Sequence, residues 1–181
     1  MSGGAGATSA RWISPRLRRA ALVAMALAAT AGCDQAAKSA ARSRLAGGPP
    51  VALWGGAVRF EYAENRGAFL SLGESLPHGV RFAVFVLLVG AALAAALAFA
   101  LRSRSLPAPE LAALALMAGG GLGNLIDRVA RAGSVVDFVS VGWGPLRTGI
   151  FNLADAAITA GALLFLWASL RQSDEALSPP G

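Results

Sequence analysis

One cysteine, one histidine and one lysine occur in the 181 residues. A lone Cys33 cannot close an internal disulfide or build a multi-cysteine metal cage. A lone His78 excludes the two-histidine zinc motifs. Charge is scarce as well: 14 % of residues are Asp, Glu, Lys or Arg, where a soluble domain carries about 25 %. Hydrophobic residues make up 55 % of the chain and the mean hydropathy is +0.57, which reads as a membrane protein with one compact unit. The net charge is +6. Its arginines are scattered between apolar runs rather than gathered on one face, so the expected partner is the anionic lipid headgroup and not nucleic acid. With so few other groups, acid–base chemistry falls to aspartate. There are five, and four of them (Asp34, Asp127, Asp137 and Asp155) sit at the ends of apolar segments. A carboxylate close to lipid is costly and marks function more often than accident.

Four apolar runs organise the chain: Ala20 to Cys33, Phe82 to Leu101, Leu111 to Ile126 and Leu153 to Leu170. The second is long enough for a hydrocarbon core, which needs about 20 residues. The others are somewhat short, and flanking residues can complete the first and third. Pro107, Pro109 and Glu110 signal the start of the third helix. Four spans put both termini on one side. The cluster Arg11, Arg16, Arg18 and Arg19 ahead of the first span makes that side cytoplasmic. Residues 1–16 and 172–181 read as disordered tails around a single four-helix unit at 17–171. Two segments break the helical pattern. VRFEY alternates with Val58, Phe60 and Tyr62 on one face, and SVVDFVSV at 134–141 is rich in β-branched residues. Both fall on the predicted external side and can pair into a small sheet at the bilayer surface.

Each polar motif carries a structural reading beside a chemical one. Asp34 and Lys38 in DQAAK are spaced i, i+4 and face each other if the first helix continues; an interfacial ion pair ending a helix explains them equally well. Asn65, Gly67 and Ala68 in ENRGAF read alone as a turn. In GGGLGNLIDR the glycines suit close helix packing in a membrane, but packing does not explain Asn124, Asp127 and Arg128 arriving together. In FNLADAAITAG, Asn152 fits the N-cap and Asp155 the third helical position. The helix dipole favours an ionised Asp155 there, which serves a cap and a general base alike. Asp137 interrupts an apolar strand, as a surface-facing strand residue or as a partner for the fourth helix. TAGC ending at Cys33 mimics a lipoprotein signal, yet Thr30 stands where a larger aliphatic is usual and three more spans follow.

Taken in order, DQAAK, NRGAF, GGGLGNLIDR, VVDF and FNLAD, spread over residues 34–158, resemble the lipoprotein signal peptidases (signal peptidase II) of bacteria. One departure is NRGAFLSLG, where many members carry two alanines before the aromatic residue. The resemblance implies a membrane α-helical fold: four transmembrane helices with a small periplasmic β-cradle at the membrane surface. It implies an aspartic endopeptidase of the bacterial inner membrane, working as a monomer without cofactor or metal. The substrate would be a diacylglyceryl-modified prolipoprotein, cleaved before the lipidated Cys. Asp137 and Asp155 match the catalytic pair. Asp34, Lys38, Asn65, Gly67, Asn124, Asp127, Arg128, Asn152 and Ala154 match the surrounding motif positions.

Two carboxylates sharing a proton can hydrolyse a peptide without His, Cys or metal. A proton-coupled transporter is the rival from another class, because intramembrane Asp residues often mark proton paths; the aspartates here gather at one side. A serine peptidase built on Ser39 and Lys38 is weaker, since adjacent residues on a helix do not face each other.

Overall fold

The computed structural model describes residues 14–67, 75–103 and 105–177. Four long helices, each apolar enough to cross a membrane, run alternately up and down. They are α1 (Pro15–Leu45), α2 (His78–Arg102), α3 (Ala108–Ala130) and α4 (Leu153–Leu177). α2 widens into a π-helical stretch at Ala83–Leu88.

The helices outrun the apolar runs in the sequence. Ser14 caps α1 by accepting the Leu17 N–H at 3.2 Å, and Pro15 follows at a position where its missing N–H costs nothing. The helix then continues through Asp34 and Lys38 to Leu45, so the i, i+4 pair does face itself. At the other end α4 continues past residue 171 to Leu177, because nothing breaks it before Pro179. The expected tails are therefore shorter where the structure describes them; residues 1–13 and 178–181 lie outside the described set.

α3 is the least apolar span and the most buried one. Half of its central window is enclosed, against 6 % for α2. Its glycines explain this. A Cβ at Gly119 would lie 2.7 Å from Thr30 of α1, one at Gly121 would lie 2.6 Å from Leu93 of α2, and one at Gly120 would run into the Ala154 carbonyl of α4. Glycine costs about 1 kcal/mol in an aqueous helix, but here it brings three other helices against one backbone.

Between the helices the chain forms a four-stranded antiparallel sheet in the order β1 (Val51–Leu53), β2 (Val58–Asn65), β3 (Val135–Trp143) and β4 (Leu146–Arg147). The two segments expected to pair do so, as β2 and β3. Their register shifts between Phe60 and Ala63, so the alternation expected through Tyr62 is interrupted there. The shift carries Ala63 opposite Asp137 and Asn65 opposite Val135. The rim of the sheet leaves Trp54, Trp143 and Leu146 exposed.

Candidate active site

Asp34 and Lys38 are fully buried, one turn apart on α1. A buried lysine needs compensation. The Lys38 Nζ reaches Asp34 Oδ2 at 2.7 Å, Asn124 Oδ1 at 2.8 Å and Asp127 Oδ2 at 3.2 Å, one acceptor for each of its donors. Asp127 also accepts the Val136 N–H at 3.0 Å, and Arg131 and Gln35 donate to its other oxygen. It therefore ties the end of α3 to α1 and to β3. The free oxygen of Asp34 accepts the Ala154 N–H at 2.9 Å, holding the first turn of α4 against α1. Ala154 thus contributes its backbone. Gly123 belongs to the same arrangement, since a Cβ there would lie 2.6 Å from Asp34.

Asp155 and Asp137 stand one layer away, on the first turn of α4 and in β3. Asn152 caps α4: its Oδ1 accepts the Asp155 N–H at 2.9 Å, and its own N–H donates to Asp155 Oδ2 at 3.2 Å. This is the capping arrangement expected from FNLAD. The Asn152 side-chain amide meanwhile donates to Asp137 Oδ1 at 2.7 Å. One residue therefore fixes both carboxylates. Two more amides complete the set: Asn65 donates to Asp137 Oδ2 at 3.1 Å, and Asn124 donates to Asp155 Oδ1 at 2.8 Å. Among the described residues neither carboxylate forms a salt bridge.

That environment favours a proton on Asp137. Burial pushes the Asp137 carboxyl from its ordinary 3.8 up to about 6, and the neighbouring Asp155 charge pushes the same way. The amide donors Asn65 and Asn152 pull against the shift. Asp155, less buried, lines a cavity of ≈ 430 Å³. Asn124 and Arg128 supply the cavity's polar side, and Phe85, Val89 and Ile158 its apolar side. The Arg128 guanidinium lies over the Phe85 ring, 5.3 Å from its centre, and donates to the Gly67 carbonyl at 3.0 Å. The Gly67 N–H is held by Asn65 Oδ1 at 2.9 Å, so Gly67 is pinned beside the pair.

All eleven candidate positions thus converge on one end of the bundle. Ala68 lies outside the described residues. Ser39 is exposed while Lys38 is buried, so these two do not assemble a serine site. Cys33 is exposed within α1. Two participants were not anticipated. Gln35 bridges α1 to the Gly123 carbonyl at 3.0 Å, a role its place beside Asp34 hinted at. Phe85 sits in an apolar run where nothing distinguishes it from its neighbours.

Comparison with known proteins agrees with this architecture. A solved bacterial membrane enzyme, determined by the in meso method at 2.3 Å, superposes with a TM-score of 0.76 at 22 % identity, covering 89 % of this chain and 94 % of that one. A second, at 1.9 Å, gives 0.71 at 24 % identity, covering 83 % and 93 %. These likenesses establish the fold, a multi-pass helical bundle. The family model described as Signal peptidase (SPase) II matches residues 26–171. The lipoprotein signal peptidase of Streptomyces griseus is 32 % identical over 178 residues, covering 95 % of this chain and 85 % of its own. That of Pelotomaculum thermopropionicum is 39 % identical over 142 residues, covering 78 % and 87 %. The chain belongs to the signal peptidase II family, and it is a membrane peptidase.

Proposed function

We propose that this chain is an aspartic endopeptidase that removes the signal peptide from diacylglyceryl-modified prolipoproteins, with Asp137 and Asp155 as the catalytic pair. The observation that carries the reading is Asn152, which holds both carboxylates by its side chain and backbone while, among the described residues, neither forms a salt bridge. The ionised member takes a proton from water as the oxygen attacks the carbonyl carbon of the scissile bond. The protonated member donates to the carbonyl oxygen. The tetrahedral intermediate then collapses, the C–N bond breaks, and the leaving nitrogen takes a proton from the pair. The proton belongs to the pair rather than to one residue. The upward shift of Asp137 to about 6 supports a singly protonated pair reaching towards neutral pH.

The apolar wall of the cavity beside Asp155 suits a substrate whose acyl chains remain in lipid. Both carboxylates come from one chain, so a monomer suffices. On this reading the protein lies in the inner membrane with the carboxylate end periplasmic, and the starts of α1 and α3 face the cytoplasm. The test is cleavage of a purified lipidated precursor. The expected product begins at the lipidated Cys, with activity unchanged by metal chelators and by serine- or thiol-directed reagents. Loss of activity to a chelator, restored by zinc, would overturn the mechanism.

A further inference from the structure

The opposite end of the bundle, where α1 begins and α2 ends, holds a second cavity, of ≈ 510 Å³. Three arginines line it: Arg16 and Arg19 from the first turns of α1, and Arg102 at the end of α2. Ser14, Ser103 and Leu101 are also in its wall, and among the described residues no carboxylate is. Arg16 and Arg102 are exposed, but Arg19 is half-buried. Its Nε and Nη2 are shielded from solvent and have no hydrogen-bond partner among the described residues. A buried donor left unmade is costly, most of all on a charged group, and such groups in a native fold ordinarily have a partner. Two adjacent guanidinium N–H groups form the planar fork that fits a phosphate oxygen pair. Ser14, whose hydroxyl accepts the Leu17 N–H, makes no hydrogen bond to either of these nitrogens.

We propose that Arg16, Arg19 and Arg102 form an anion site that takes the phosphodiester headgroup of an anionic phospholipid. The depth fits a lipid. The cavity lies between the first residues of one membrane-spanning helix and the last of another, where chains leave the hydrocarbon and headgroups sit. Leu101, exposed in the same wall, continues the apolar surface of α2 towards the acyl chains. α2 has little protein around it, with 6 % of its central window enclosed, so a headgroup joining Arg102 to Arg19 would fasten it to α1. Free inorganic phosphate offers the same oxygens without the acyl chains.

The test uses the full-length protein in detergent, with retained lipid read by native mass spectrometry. Phosphatidylglycerol should be held in preference to phosphatidylcholine, and excess inorganic phosphate should not displace it. Arg19→Gln and Arg102→Gln should each lower retention by about fivefold, the worth of one basic group at a membrane surface. Arg171→Gln, whose guanidinium stacks on Trp167 and does not line the cavity, should leave retention unchanged. Arg102 is exposed, so its variant carries the test if Arg19→Gln fails to fold. Cleavage activity should stay within about twofold of the parent, since the carboxylates are at the other end of the bundle. Equal retention of the two lipids, or an Arg171→Gln loss as large as that of Arg102→Gln, would overturn the site. Displacement by inorganic phosphate would overturn its assignment to lipid.

Discussion

Four buried or half-buried aspartates stand at one end of this bundle, in two arrangements that treat the same side chain differently. Asp34 and Asp127 share a lysine: an oxygen of each converges on Lys38 Nζ, Asp34 also accepts the Ala154 N–H, and Asp127 also accepts from the Val136 N–H and the Arg131 and Gln35 side chains. Asp137 and Asp155 are held only by amides, from Asn65, Asn124 and Asn152. A carboxylate matched by a buried cation works as a fastener. A carboxylate held by neutral donors keeps its position and can still exchange a proton. Asn124 links the two arrangements, since its oxygen accepts from Lys38 and its amide donates to Asp155. The family's ordered polar motifs therefore divide by counter-charge, a distinction invisible in the letters themselves.

The comparison breaks most sharply if the amide-held pair is not catalytic. Asp137→Asn and Asp155→Asn should each lower turnover of a lipidated precursor by about 10³-fold or more, with the protein still folded in membranes. Near-normal turnover by either variant at matched protein levels would sink the assignment. On the other side, Lys38→Met leaves Asp34 buried without its cation and Asp127 with Arg131 alone. It should destabilise the protein by about 3–5 kcal/mol, read by unfolding in detergent. A variant as stable as the parent would show that this cluster does not fasten the bundle.

Asp127→Asn is a milder probe of the same cluster. It should lower stability and substrate positioning by roughly 10–100-fold in activity, yet leave a measurable chemical step in single-turnover assays. Full stability with activity as low as Asp155→Asn would move Asp127 into the pair. The smallest effect concerns pH. The folded Asp137 carboxyl titrates near 6, above its ordinary 3.8. Its ionised form is therefore disfavoured by folding: the penalty is absent below pH 4, grows between 4 and 6 and is complete above. Asp137→Asn should gain stability over the parent as pH rises through that window, by on the order of 2 kcal/mol. A difference that stays constant from pH 4.5 to 8 would contradict the burial argument.

Much of the fold was legible because lipid imposes simple lengths and leaves few reasons for a polar residue. The four spans, the β2–β3 pairing and the Asn152–Asp155 cap all followed from local pattern. The true length of α1 did not, because Asp34 and Lys38 look like the end of an apolar run until their partners on α3 are known. The bulge before Ala63 was equally hidden, since register depends on the partner strand. The burial of α3 ran against simple hydropathy. In a bilayer the most apolar helix faces outward, and glycine marks the interior.

The bond from the Ala154 N–H to Asp34 joins residues 120 positions apart. A ribosome making this chain finishes α1 long before α4 exists. Until then Asp34 lacks that donor, the cap on α4 is unmade, and Asp155 has not been synthesised. Asn152 can hold Asp137 and Asp155 together only when the final helix enters the membrane and docks on the first. If the proposed pair is catalytic, a nascent or truncated chain is not competent, and the timing of activity is set by the direction of translation.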